Sequence, residues 1–256
     1  MSQQWLSVFQ QEKLQCLFGL IGGLKDTAVS SDSMIRNGHF KVLQERILNY
    51  TKWEPSSKLA MHTECVLDCF REASIERIGK MFETMEERQN FIKKGEVTWG
   101  NWSILWCPLL DGAKNMSDFP MWVQALPKVL FDLIDLDCDG EISYDELLAF
   151  HRDLIGVDNN DLGSMCEKAY DVITDRGRYP LDATTFEQLF ANFLIGRSEH
   201  GPGKFIFGMF EHRAHLKDFT TEDQTKRENN PVVHRRRSSV TTARSCCPHP
   251  RLVYNQ

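Results

Sequence analysis

No stretch of the 256-residue chain approaches the ~20 consecutive apolar residues that a membrane-spanning helix needs. The first ten residues, Met1 to Gln10, lack the basic start and apolar run of a secretory signal, so a cytoplasmic protein is expected. In that reducing setting the eight cysteines are expected as thiols. Cys65 and Cys69, four apart in a helical pattern, read as neighbours on a packed face rather than as ligands. The N-x-S/T triplets beginning at Asn49, Asn101 and Asn115 carry no meaning without secretion. Catalytic signatures are missing as well. There is no HExxH, Walker A or G-x-S-x-G element and the histidines are scattered, so the chain is not expected to be an enzyme. The segment Gly196–Gly208 has a glycine-rich start, but it follows a helical pattern instead of a strand and places Phe205 where a phosphate loop needs Ser or Thr. It reads as an apolar strap, Phe205 to Phe207 with Met209 and Phe210, that packs into the body.

Charge is unevenly spread. Residues 213–256 carry nine Lys and Arg against four acids, a net +5; with a total of −6, residues 1–212 carry −11. An acidic body argues against nucleic acid as its partner. The basic tail has few large apolar residues and is expected to be disordered, with weak contact to an anionic membrane as one use of its charge. Within it, His234 to Val240 looks like the substrate of a basic-directed kinase, with Ser239 and its neighbour Ser238 as acceptors and arginines at −2 and −3 from Ser239. Cys246-Cys247 beside this cluster are candidates for acylation.

What is present is a stretch from Asp135 to Glu146, Asp-Leu-Asp-Cys-Asp-Gly-Glu-Ile-Ser-Tyr-Asp-Glu, that matches the D-x-[DN]-x-[DN]-G-x5-E pattern of a calcium-binding EF-hand loop. A hard cation of calcium's size takes six to eight oxygens in flexible geometry. Asp135, Asp137 and Asp139 would supply carboxylates at loop positions 1, 3 and 5, Glu141 its backbone carbonyl, Ser143 a contact through water, and Glu146 a bidentate carboxylate at position 12. Gly140 at position 6 permits the sharp turn. A plain acidic turn with a Ser143–Glu146 capping box would share some of these residues, but it would not require the full pattern.

Three further helix-loop-helix units can be placed around this one by their apolar framework. Ile35 at position 8 of a first loop puts Ala28, Ser30, Asp32 and His39 at ligand positions 1, 3, 5 and 12. A long helix over residues 57–90 should lead to a second loop with Val97 at position 8 and Asn90, Ile92, Lys94 and Asn101 at those ligand positions. A fourth, with Leu181 at position 8, offers Thr174, Arg176, Arg178, Asp182 and Thr185. None of these sets suits a cation, and in the fourth an arginine could replace the ion by pairing with local carbonyls. Ile142 and Leu181 are expected to pair as the short strand between loops three and four. One helix-loop-helix cannot bury its apolar face alone, so two pairs are expected: residues 1–112 with both loops degenerate, and residues 116–212 with one intact loop, followed by the tail 213–256.

The residues Phe131 to Glu146, the preceding Leu126-Pro127, a long second unit without ligands and the ending Lys204-Phe-Ile-Phe-Gly208 together resemble the invertebrate sarcoplasmic calcium-binding protein and calexcitin-like family, over about residues 5–210. The resemblance implies an all-α EF-hand fold, with two pairs of helix-loop-helix units packed around a shared apolar interior. Members usually keep two or three working loops, whereas here the third alone matches. That shifts the expected function from a bulk calcium buffer to a monomeric intracellular calcium sensor acting on an unidentified target protein. The same branch includes luciferin-binding proteins, which use the interior as a ligand cavity; the alternatives are therefore a calcium buffer of the sarcoplasmic type or a small-molecule carrier, with six tryptophans as candidate lining.

Overall fold

Most helices of the chain begin where a side chain can satisfy the first unpaired N–H groups. In the computed structural model, which describes residues 6–23, 29, 32–157 and 160–208, α1 (Val8–Gly22) starts at a reciprocal Ser7–Gln10 box with both bonds at 3.1 Å. It ends at Gly23 in the left-handed conformation. Trp5, Met209 and Phe210, together with the tail 213–256 and its Ser238, Ser239, Cys246 and Cys247, lie outside the described residues. The two-residue strand β1 (Met34–Ile35) leads into α2 (Asn37–Thr51), followed by α3 (Lys58–Gly79) and α4 (Met85–Lys94). Strand β2 (Val97–Thr98) leads into α5 (Trp99–Leu110). A 3-10 turn at Met116–Asp118 precedes α6 (Met121–Gln124), α7 (Leu126–Ile134), α8 (Tyr144–Ala149), α9 (Leu162–Ile173) and α10 (Ala183–Ile195). A second 3-10 turn, Pro202–Phe207, forms the strap. The architecture is all-α, as expected.

The single helix expected over 57–90 is two. Turns from Met81 N–H to Ile78 and from Phe82 N–H to Gly79 tighten the end of α3, and Thr84 with Glu87 forms a new capping box that starts α4. Phe82 then meets Phe91 at 5.1 Å, so the apolar periodicity continues across a fold in the chain. A second expectation also fails. Cys65 and Cys69 are exposed, and the buried face of α3 is formed by Val66, Leu67 and Phe70. Spacing alone placed the cysteines near that face, but their directions fall on its solvent side.

The loops pair in two places. Ile35 faces Val97 and Met34 faces Thr98 in the antiparallel β1–β2 pair. Ile142 donates to the Leu181 carbonyl at 2.9 Å, beside a bridge between Glu141 and Asp182. At the first pairing, Asn37 packs so closely over Gly95 that a Cβ there would lie 2.4 Å from its side-chain nitrogen.

One apolar cluster runs from α1 to the strap and includes Phe18, Trp102, Trp106, Phe150, Phe190 and Phe207. Polar side chains tie its distant parts together. Lys13 on α1 donates to the Gly196 carbonyl at 2.5 Å, capping the C-terminus of α10, and its ammonium lies over the rings of Phe9 and Phe193. Burial lowers the pKa of this amine to about 7. Arg46 on α2 donates to the carbonyls of Leu20 and Leu154. α8 continues into a π-helical turn, Phe150–Ile155, and from it the fully buried His151 reaches the strap: Nε2 lies 2.9 Å from the Phe205 carbonyl and 3.1 Å from that of Ile206. Two carbonyl acceptors at Nε2 require the proton there.

Burial pushes the His151 imidazole down to about 4, against backbone bonds that favour its charged form. The folded pKa lies below the unfolded value, so the unfolded chain takes the proton first. Stability is therefore complete above about pH 6.5 and is lost as the pH falls from there toward 4. Between pH 7 and pH 5, urea unfolding is expected to show a loss of roughly 2 kcal/mol relative to a His151→Gln variant, which keeps a donor but does not titrate. Equal pH slopes for the two proteins would contradict this account.

Candidate metal centre

The loop between α7 and α8 is shaped by its own backbone N–H groups turning inward onto carboxylates. Asp135, the residue that ends α7, is buried, and its two oxygens accept N–H bonds from Asp139 and Gly140 at 3.2 Å each. Asp137 accepts from Asp139 N–H at 3.1 Å and Asp139 from Glu141 N–H at 2.9 Å. Each short Asp side chain thus bends the chain around itself. Gly140, at φ +90, makes the turn, and Cys138, at φ +59, is also in left-handed conformation. The outcome is that oxygens of Asp135, Asp137 and Asp139 all lie within 4.8 Å of one another, the one such cluster among the described residues.

Three like charges this close oppose one another. Burial, followed by the charges of Glu146, Asp139 and Asp137, raises the Asp135 carboxyl above the usual carboxylate range, while the Gly140 N–H works in the opposite direction. The field extends to Tyr170, whose phenol is raised by burial and then by Glu141, Glu146 and Asp139. A divalent cation would relieve this repulsion.

Glu146 stands outside the three-carboxylate cluster and holds the loop's two ends together. Its Oε1 accepts the Leu136 N–H at 2.7 Å and the Asp137 N–H at 3.3 Å, and its Oε2 accepts the Ser143 N–H at 2.9 Å and hydroxyl at 2.7 Å. Ser143 Oγ in turn accepts the Glu146 N–H, completing the cap of α8. Glu141 is at the exposed rim, bridged to Asp182.

The same two positions are used as a cap in the second and fourth units. Thr98 and Asn101 form a capping box at positions 9 and 12 of the second loop, and Asp182 accepts from the Thr185 N–H at 2.8 Å in the fourth. Asn101 and Thr185 have no second carboxylate oxygen to reach back across their loops, so the caps persist without the closure that Glu146 makes. In the fourth loop Arg178 pairs with the Asp175 carboxylate at 3.1 Å, where a bond to a loop carbonyl was expected. Asp175 and Arg176 there have positive φ, so this turn is built without an Asp cluster.

Two further groups serve the site without any motif to announce them. The Tyr170 hydroxyl on α9 donates to the Ile142 carbonyl at 3.0 Å, and the Tyr144 hydroxyl donates to the Gly163 carbonyl at 3.1 Å. The two rings lie edge to face, 6.2 Å apart. Tyr170 was legible as a framework residue; its hydroxyl bond depends on which loop faces α9.

The sequence matches no protein-family model and no curated protein. Among solved structures, the fold is similar to that of a sarcoplasmic calcium-binding protein from amphioxus, with a TM-score of 0.58 and 19% identity over 79% of this chain and 98% of that one. The calcium-loaded apo form of the coelenterazine-binding protein from Renilla muelleri also overlaps, with a TM-score of 0.46 and 16% identity over 77% of this chain and 94% of that one. The chain therefore has the sarcoplasmic calcium-binding protein type of EF-hand fold.

The left-handed turn at position 6 leads to a prediction about the loop itself. No atom lies within 4 Å of a Cβ added at Gly140, so Gly140→Ala meets only backbone strain. It should destabilise the chelator-treated protein by about 1–2 kcal/mol in urea unfolding. An unchanged midpoint would show that the loop does not hold this conformation.

Proposed function

We propose that the chain binds one calcium ion in the loop Asp135–Glu146 and acts as an intracellular calcium sensor. The observation that carries the reading is the convergence of Asp135, Asp137 and Asp139 oxygens within 4.8 Å in a loop between two core helices. Those three carboxylates, the Glu141 carbonyl, Ser143 through a water and a bidentate Glu146 make an all-oxygen set of the number and hardness that calcium takes. The present Glu146 contacts keep its carboxylate beside the loop, so a small rotation suffices to direct it to the ion. The residues are unsuited to a soft metal, with no imidazole or ordered thiolate set in the loop.

A single site in a chain of 29.6 kDa stores little calcium for its mass, which favours signalling over buffering. The exit helix also has somewhere to send a change. α8 runs through the π-helical turn to His151 and the strap, and Arg46 joins α2 to the Leu154 carbonyl of the same turn. Drawing Glu146 inward would therefore act on residues from both expected pairs, 1–112 and 116–212. A cytoplasmic, monomeric, non-enzymatic protein whose effect passes through a target protein fits this arrangement. No helix among the described residues is long and apolar enough to cross a membrane. The basic segment 213–256, with Ser238 and Ser239, would then be a phosphorylation-sensitive arm.

A carrier role has one observation in its favour. The indole N–H groups of Trp102 and Trp106, which are buried side by side at 5.7 Å between ring centroids, have no hydrogen-bond partner, and nor does the Ser74 hydroxyl. A polar-edged small molecule beside the two indoles would satisfy their N–H groups.

Calcium titration with calorimetry and tryptophan fluorescence tests both readings. One ion per chain is expected, with a dissociation constant on the order of 10⁻⁷ to 10⁻⁵ M and a fluorescence change that saturates with it. Glu146→Gln should weaken binding by about a hundredfold or more through loss of the bidentate ligand. Two bound ions, or binding that survives Glu146→Gln intact, would overturn the assignment. Binding without any fluorescence or hydrodynamic response would favour the buffer. An environment-sensitive apolar dye that binds at one per chain and is lost in Trp106→Phe would favour the carrier.

A further inference from the structure

The exit helix of the acidic loop changes register soon after it starts. α8 carries Glu146 on its first turn and passes after Ala149 into the π-helical turn Phe150–Ile155, the one such turn among the described residues. At its end the Gly156 and Val157 N–H groups both reach back to the His151 carbonyl at 3.0 Å, five and six residues away, where an α-helix would span four. A π-helical turn takes up more residues than the α-helical turn it replaces, so the α-helical register is a neighbouring arrangement that needs no unfolding.

The side chains of α2, from the other expected pair, hold this turn. Arg46 and Tyr50 lie four residues apart on one face of that helix. The Arg46 guanidinium donates to the Leu154 carbonyl inside the turn and, at 3.2 Å, to the Leu20 carbonyl near the end of α1. One planar fork thus fastens α2 and α1 to the turn. The Tyr50 ring meets Phe150, the first residue of the turn, edge to face at 6.4 Å. Its hydroxyl is buried and has no hydrogen-bond partner. Burial, and then the charges of Glu146 and Asp153, raise this phenol above its usual range, so it lies in the field of the loop's last carboxylate. A stranded hydroxyl favours whichever register gives it an acceptor.

We propose that the turn Phe150–Ile155 is a calcium-linked switch, with Arg46 and Tyr50 as the positioning residues that carry its register to α2 and α1. This rests on the calcium reading of the Asp135–Glu146 loop and names where the response goes. In the register observed, the Glu146 oxygens are engaged by the N–H groups of Leu136, Asp137 and Ser143. Turning that carboxylate onto an ion pulls on the first turn of α8, and the π-helical turn absorbs the pull by moving toward α-helical register. The Leu154 carbonyl shifts under Arg46, and the fork passes the shift to α2 and to Leu20. By linkage, a substitution that stabilises the observed register weakens calcium binding.

The full chain is tested by calorimetry with calcium and by hydrogen–deuterium exchange, read by mass spectrometry with and without saturating calcium. One bound ion, with altered exchange in both 150–157 and 37–51, is the expected result. Arg46→Lys keeps the charge but has no fork to span two carbonyls. It should bind one ion and respond within 135–157, while 37–51 no longer responds. Tyr50→Phe removes the stranded hydroxyl and keeps the ring, and it should raise the calcium dissociation constant about fivefold or more. Calcium binding with no response in 37–51, or a response there that survives Arg46→Lys, would overturn the switch and leave the calcium reading standing. A dissociation constant unchanged by Tyr50→Phe would overturn it as well, whether or not Arg46→Lys folds. Absence of bound calcium in the unsubstituted chain would overturn both.

Discussion

The hydrogen bond from the Ile142 N–H to the Leu181 carbonyl, with the buried side chains of both residues beneath it, is the constraint on which the acidic loop depends. A helix-loop-helix unit has one apolar face and no means of covering it alone. Pairing two loops back to back brings their helices together and fixes each loop at its position 8. From there the chain has one short route back to Asp135, and three Asp side chains occupy it. The Tyr170 hydroxyl on the Ile142 carbonyl holds the same residue from the other side, so Ile142 is fixed through both of its peptide groups.

This pairing also explains how a loop without an Asp cluster can stand opposite one that has it. The fourth loop contributes a carbonyl and a leucine to the pair, and neither role needs a carboxylate. Its arginines face solvent, where Arg178 meets Asp175. The first pair repeats the arrangement through Ile35 and Val97, with Asn37 packed over Gly95. In the second, third and fourth units, the residues at positions 9 and 12 are used as a helix cap. The cap serves the exit helix, and in the third unit the Glu at position 12 is long enough to reach the Leu136 N–H as well as Ser143.

The body is tied together by polar groups that serve carbonyls at helix ends. Lys13 and Gln10 on α1 reach the C-terminus of α10, Arg46 reaches the turn after α8, and His151 reaches the strap. Each donates to a backbone carbonyl at or near a helix end, where a buried acceptor left unmet is costly. The consequence is that the exit helix of the acidic loop is coupled to residues far from it in the chain.

The sequence by itself determined the loop and its register, because the D-x-D-x-D-G-x5-E spacing is set by local turn chemistry, and it determined which framework positions are apolar, because helical period is local too. Ile142 and Leu181 could be paired before any coordinates, and Ile35 and Val97 could be placed at position 8 of their own loops. Tertiary structure alone decided the contacts between facing surfaces. It divided the 57–90 segment into α3 and α4, turned Cys65 and Cys69 outward, and gave Arg178 to Asp175. It also sent His151 to the carbonyls of Phe205 and Ile206, more than fifty residues along the chain. Such contacts have no sequence signature, because their partners are chosen by how helices pack and not by how far apart residues lie in the chain.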